Sequence, residues 1–383
     1  MGGGRQTEGM SFSLDISTLP QERLHERIAV VPSPLAELSM TLHALAEPGH
    51  HPGLQGWATS VMAGLDQCLA EMLCEADFLW RSTFSDIFMP FSGLTDPAAL
   101  PAGTLAEELD QLDKLDDEQF VDAALEFTCT LAYGKLAAAP LLSDPAARQR
   151  VLELAATRGA RQVQFTQRLL DDPPAVRGWI RRLLLDCDEA FFGDVWARVH
   201  HQLAADARHK TELLQRKGLG TMLTSASKAL SLSGDERQIE IDKLVVGRAA
   251  IPEGGTLRLV PTVMGRPHLL VLHRYGWTPV IHYPVAGESL STAASVDELT
   301  RRMEALSHPV RMRLCRNLAR GAYTTSELVD VHGMSAPEIS RHLAVLRKAG
   351  LITARRRGRY VLHQLDLSKV ARLGSDFIEG VLR

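Results

Sequence analysis

The stretch SAPEISRHLAVLRKAGLITARRRGR, residues 335–359, decides how the chain is organised. Ser335 and Glu338 stand at the S-x-x-E spacing of a capping box, with Pro337 in the first turn behind the cap. Ile339, Leu343 and Leu346 then recur at helical spacing on one face, and Gly350 ends the helix. LITARR and YVLHQL follow as two strand-like runs around an Arg357-Gly358 turn. The sequence therefore predicts a helix followed by a hairpin, and residues 355–359 hold four arginines around one glycine.

The residues upstream complete the unit. Ser295 and Glu298 form a second capping box, which opens a helix through Leu299, Met303 and Leu306 that His308-Pro309 breaks. Val310, Leu314 and Leu318 mark another helix, which stops at Gly321. Thr324 and Glu327 form a third box, and a short helix runs from them to Gly333. Two helices joined by a short turn containing glycine make a helix-turn-helix, and a basic hairpin beside the second helix makes a wing.

The charge is distributed unevenly along the chain. From Arg301 onward there are 16 basic and 7 acidic residues, whereas the preceding 300 residues hold 26 basic and 39 acidic. A basic block on an acidic body points to a polyanion, and the helix-turn-helix pattern points to duplex DNA. The second helix would lay Glu338, Arg341 and His342 along base edges, while the hairpin arginines reach phosphates or the minor groove. The candidate DNA contacts are Thr324, Thr325, Ser335, Ala336, Glu338, Ser340, Arg341 and His342, together with Arg355, Arg356, Arg357, Arg359 and Tyr360 of the wing.

MEALSHPVRMRLCRNLARG at 303–321 and TTSELVDVHGMSAPEISRHLAVLRKAGLITARRRGRYVLHQL at 324–365 resemble the ArsR-type winged helix-turn-helix regulators of bacteria. The resemblance covers about the last 85 to 90 residues. It implies a homodimer that binds operator DNA and represses. Two departures from the family are visible. The first turn of the recognition helix reads Ala336-Pro337-Glu338 instead of small polar residues or Gln, so base reading would fall to Ser340, Arg341 and His342, with Glu338 an acceptor for cytosine N4. The family's metal-sensing positions hold neither Cys in YTTSELV nor His in SKVARLGSDFIEG, so no metal site is expected there. Val370, Leu373, Phe377 and Val381 form a stripe at helical spacing. With Leu299 and Met303, this stripe either pairs two protomers or packs into the module's own core.

The rest of the chain reads as residues 1–9, a flexible leader; 10–235, a helical sensor or interaction domain; 236–288, a small antiparallel sheet with its linker; and 289–383, the winged helix-turn-helix. The fold class expected is mainly α with small β elements. The helical part includes SPLAELSMTLHALAEPG, GWATSVMAGLDQCLAEML and the long run WIRRLLLDCDEAFFGDVWARVHHQLAADARHKTELL, read as one helix or two. QIEIDKLVV, TLRLVPTVM, HLLVLHRYG and PVIHYPV supply the strands. This layout also resembles a group of long ArsR-type regulators from actinobacteria, which carry a large N-terminal domain without an assigned ligand.

No uncharged apolar run is long enough to span a membrane, and the five scattered cysteines form no C-x-x-C, a pattern expected of reduced thiols in a cytoplasm. Neither a phosphate-binding glycine loop nor a nucleophile elbow is present, so no catalytic residues and no cofactor are assigned. His200, His201, Asp206 and His209 share a helical stretch, where adjacent histidines point about 100° apart, which favours a solvated face over a metal site. His50-His51 in PGHHPG lies in a loop and is open to the same two readings, a metal site or a solvated surface. Trp57, Trp80, Phe84, Phe88 and Trp196 are candidates for an apolar pocket holding a small organic effector, the alternative being that the rings fill the core. Competing with this sensor reading are a protein–protein adaptor anchored to DNA and a DNA-regulated enzyme.

Overall fold

The computed structural model describes residues 12–81, 85–96, 98–125, 140–242, 247–274, 276–285, 295–357, 360–371 and 373–381. The chain divides into two compact units, one made of residues 11–241 and 246–290, the other centred on 291–383.

In the first unit the described helices are α1 (Leu24–Arg27), α2 (Pro34–Ala46), α3 (Gln55–Gly64), α4 (Gln67–Ala76), α5 (Leu105–Leu112) and α6 (Asp117–Ala124). They continue with α7 (Pro145–Ala156), α8 (Ala160–Asp171), α9 (Pro173–Cys187), α10 (Gly193–Lys217) and α11 (Leu219–Ala226). The long apolar run resolves into α9 and α10, joined through a π-helical turn at Asp188–Phe192. The strands are β1 (Phe12–Asp15), β2 (Ile28–Val30), β3 (Leu230–Leu232), β4 (Gln238–Ile241), β5 (Gly247–Ala250), β6 (Leu257–Thr262), β7 (Leu270–Leu272) and β8 (Val280–Pro284).

Helix α2 is the centre of this unit. Twelve of its thirteen residues are buried, so it presents no face to water and reads as a core helix rather than an amphipathic one. Its ends must be satisfied by protein groups. At the N-terminus, Ser33 Oγ accepts from Ala36 N–H at 3.0 Å, and the Glu108 carboxylate accepts from Leu35 N–H at 2.7 Å and Ser33 Oγ at 2.9 Å. At the C-terminus, the Arg81 guanidinium donates to the Ala46 carbonyl at 3.0 Å and pairs with Glu47 and Asp77. The Arg81 cation matches the helix dipole at the C-terminal end, and the Glu108 carboxyl satisfies otherwise unpaired donors at the other. Midway, the Glu37 carboxylate accepts from Val263 and Met264 N–H at 3.0 and 2.9 Å, which ties α2 to the end of β6.

Both sheets are mixed rather than purely antiparallel, and both recruit strands from the start of the chain. One runs β3-β4-β1-β5, with β1 antiparallel to β4 and parallel to β5. The other runs β2-β6-β8-β7, with β2–β6 and β6–β8 parallel and β7–β8 antiparallel. Every residue of β6 is buried, as expected for a central strand covered on both faces. The boundary expected at 235/236 thus falls inside one compact unit, because strands on either side of it share sheets. FSLD and IAV are too short to show a two-residue alternation, and IAV directly follows a helical turn.

The second unit contains α12 (Val296–Leu306), α13 (Pro309–Leu318), β9 (Tyr323–Thr324), α14 (Thr325–His332), α15 (Ala336–Lys348), β10 (Ile352–Arg357), β11 (Tyr360–Leu365), α16 (Leu367–Ala371) and α17 (Leu373–Val381). Leu314, Leu318, Leu328, Ile339, Leu343, Leu346, Leu351 and Leu365 form its own core. The capping boxes at Ser295 and Thr324 form as the sequence predicts. The terminal stretch is helical over Leu367–Ala371 and Leu373–Val381, and residue 372 between them lies outside the described residues. A buried ion pair of Arg302 with Asp376, at 2.7 Å, fastens α17 to α12.

Burial pushes the Glu108 carboxyl up to about 8 and Glu37 up to about 6, against the hydrogen bonds each accepts. A raised folded pKa contributes stability that is complete below the unfolded value near 4.5 and is lost as pH rises through the folded value. Burial pushes the imidazoles of His43 and His51 down to about 4, so their contribution is present above about 6.5 and is lost on acidification toward 4. Stability is therefore expected to peak between pH 6 and 7. Glu108→Gln should remove the loss expected between about pH 4.5 and 8 in urea-unfolding curves while leaving the limb below pH 4.5 unchanged.

Candidate nucleic-acid interface

Helix α14, the turn at Gly333 and helix α15 form the helix-turn-helix. Gly333 adopts a left-handed φ of 61°, which a side chain would strain, and this reverses the chain between the two helices. Ser335 starts α15, and the Glu338 carboxylate accepts from Ser335 N–H at 3.1 Å and Ser335 Oγ at 2.7 Å. Those bonds hold the Glu338 carboxyl below the usual carboxylate range. Ile339, Leu343 and Leu346 face the core, while Ser335, Ala336, Ser340 and Arg341 are exposed on the opposite side. Glu338 and His342 are half-buried, and the His342 ring packs 4.9 Å from His308.

The wing is a six-pair antiparallel hairpin, with Ile352 opposite Leu365 and Arg357 opposite Tyr360. Strand β9, which the sequence reading did not foresee, adds Tyr323–Thr324 to its far side. Arg355, Arg356 and Tyr360 are exposed, and Thr324 and Thr325 at the start of α14 are half-buried. The Arg357 side chain and Arg359 lie outside the described residues. The helix therefore presents its candidate reading residues on one face, and the hairpin carries its arginines beside the turn.

The dimerisation candidates divide into two groups. Leu299 is buried within its own module, and Val370 packs on that module's core. Met303, Phe377 and Val381 are 39%, 46% and 41% exposed, which is unusual for large apolar side chains on a small module. Leu373 is half-buried.

Among the described residues, none of the effector candidates lines the two clefts of this unit. Trp80 and Phe88 are buried and pack edge-to-face at 6.4 Å. Trp57 and Trp196 lie against the same core, Trp196 stacked on Phe192 at 6.2 Å. Phe84 lies outside the described residues. A 720 Å³ cleft is lined instead by Glu71, Cys74, Glu75, Arg161, Phe165, Arg168 and their neighbours, and a 420 Å³ one by Val30, Pro32 and residues of α10. Elsewhere in the same unit, His43, His50, His51 and His268 come together, a grouping the sequence reading missed because no local motif joins positions 225 residues apart.

Comparison with known proteins places these features. Residues 10–289 match a family of unknown function, DUF5937, and residues 306–355 match a helix-turn-helix domain. The biofilm growth-associated repressor of Xylella fastidiosa is 34% identical over 77 residues, 20% of this chain and 68% of that protein. The HTH-type transcriptional repressor SmtB of Mycobacterium tuberculosis is 32% identical over 113 residues, 27% of this chain and 79% of its own. The crystal structure of the transcriptional repressor BigR from Xylella fastidiosa covers 21% of this chain and 81% of its own, at 33% identity and a TM-score of 0.19. The C-terminal unit is thus a helix-turn-helix of the kind found in bacterial transcriptional regulators. The chain belongs to the DUF5937 family and carries the ArsR-type regulator module at its C-terminal end.

The cap of the recognition helix provides a local test. Ser335→Ala should remove the hydroxyl that donates to Glu338 at 2.7 Å. It should also let the Glu338 carboxyl rise toward its ordinary value, which side-chain carboxyl NMR would follow.

Proposed function

We propose that this protein represses transcription as a homodimer, with α15 in the major groove of an operator and the hairpin on the flanking backbone. The supporting observation is the division of α15 into a buried apolar face and an exposed face carrying Ser340 and Arg341, next to the exposed Arg355 and Arg356 of the wing. Arg341 would read guanine O6 and N7, the commonest specific contact in that groove. Both cap bonds of Glu338 fall on Oε2, which leaves Oε1 to accept from a cytosine N4 amine. The wing arginines would neutralise phosphates and carry register rather than sequence.

Exposed Met303, Phe377 and Val381 are the surface on which two protomers would meet, and two-fold symmetry would set the half-site spacing. The large N-terminal unit would bind the effector or partner that controls this activity, without catalysis, in the cytoplasm. Its aromatic residues mostly fill its core, so they support an effector pocket less than the sequence alone suggested.

The experiment is operator capture with the full chain, followed by affinity measurements across salt. If a dimer neutralises roughly eight phosphates, log K should fall with log salt at a slope of about −7. Arg341→Ala should lose about 1–3 kcal/mol at the operator and relax base preference. Arg356→Ala should weaken all duplexes alike and make the slope shallower. A flat salt response, or a base preference set by the wing, would contradict the reading. Phe377→Asp should shift the protein to monomer in sedimentation and lower operator affinity with it.

A further inference from the structure

Four histidines converge inside the N-terminal unit from three separate segments. His43 lies in the last turn of α2, His50 and His51 in the loop behind it, and His268 in the turn between β6 and β7. All six ring-to-ring separations fall between 4.6 and 6.4 Å. His43, His51 and His268 are buried, and one nitrogen of each lies within 4.8 Å of the others. His50 is half-buried at the edge, its Nδ1 3.3 Å from His43 Nε2.

We propose that His43, His51 and His268 bind one transition-metal ion, with His50 as the fourth ligand at the outer edge.

Three observations carry the assignment. The first is orientation. His43 Nδ1 lies 2.7 Å from the Trp80 carbonyl, so that nitrogen carries the proton and Nε2 turns its lone pair into the cluster. A ligating histidine ordinarily has its second ring nitrogen held by such an acceptor. The second is spacing. Nitrogens bound tetrahedrally at 2.0–2.1 Å from zinc stand about 3.3 Å apart. His43 Nε2 is 3.0 Å from His268 Nε2 and 3.3 Å from His50 Nδ1. The third is an unmet need. His51 is only 3% exposed, yet neither of its ring nitrogens makes a well-formed hydrogen bond. A cation in the cluster would take its lone pair.

Without metal, a proton on His268 Nε2 can bridge to His43 Nε2. Because the described cluster offers imidazoles only, it suits zinc, cobalt, nickel or copper and not magnesium or calcium, which favour oxygen ligands. The bound ion would pin the 47–51 loop and the 265–268 turn to the end of α2. The site is separate from the DNA-binding surface and does not depend on that function.

The test uses the full chain, stripped with a chelator and titrated with Zn2+ against a chromophoric competitor. One equivalent per chain is expected, and Co2+ in its place should give the strong visible bands of a tetrahedral nitrogen site. His51→Gln and His268→Gln should each weaken binding at least about tenfold, since even outer-shell changes at such sites cost 10- to 100-fold. Zn2+ should raise the melting temperature of the parent chain but not of the double variant. His50→Gln, at the half-buried edge, should fold normally and alter the Co2+ spectrum. A pair on the α10 surface, His200→Gln with His201→Gln, should leave binding intact. Stoichiometry below a tenth of an equivalent in the parent chain would overturn the proposal, as would full binding in the His51→Gln, His268→Gln chain.

Discussion

The Glu108 carboxylate, where it accepts the Leu35 N–H at the start of α2, is the contact on which the N-terminal unit depends. A helix buried along nearly its whole length cannot leave its end groups to water, so each must find a partner in the protein. Ser33 and Glu108 serve one end and Arg81 the other. Between them, Glu37 takes the two backbone donors beyond β6, and Thr41 Oγ1 returns a bond to the Glu37 carbonyl. These polar groups fix the direction and depth of α2. Its apolar residues pack on all sides and by themselves would accept several registers.

The C-terminal unit follows a different logic, because nearly all of its determinants are local. Capping boxes, a glycine at the left-handed position and apolar residues three or four apart each act within one turn of the residues that form them. That locality explains why its helices and hairpin were legible from residues 295–365. The packing of its terminal helical stretch was less legible. The stripe from Val370 to Val381 shows in sequence, but the buried Arg302–Asp376 pair and the packing against α12 are long-range features.

The N-terminal unit was legible as helical and opaque in its topology. β1 and β2 are four and three residues long, so no periodicity marks them, and they pair with strands more than two hundred residues away. The aromatic residues show a related ambiguity. Trp80 and Phe88 are as suitable for a pocket wall as for a core, and only the packing separates the two outcomes. The histidines present the opposite case. His50-His51 was visible as a pair, but its partners lie on a buried helix and a distant turn.

Glu338 connects folding to recognition in the C-terminal module. It closes the box that starts the recognition helix, and its Oε2 is already committed to Ser335. A charged carboxylate on the first turn favours the helix through its dipole but repels phosphate, so it must sit over bases and not over the backbone. In the proposed complex that constraint would orient the helix so that the exposed Arg341, one turn further on, carries the positive contact. A base pair opposite Glu338 would have to offer a donor, which in the major groove means cytosine or adenine. The residue that closes the box at the start of the helix would therefore, in the proposed complex, also narrow the sequences that the helix can tolerate.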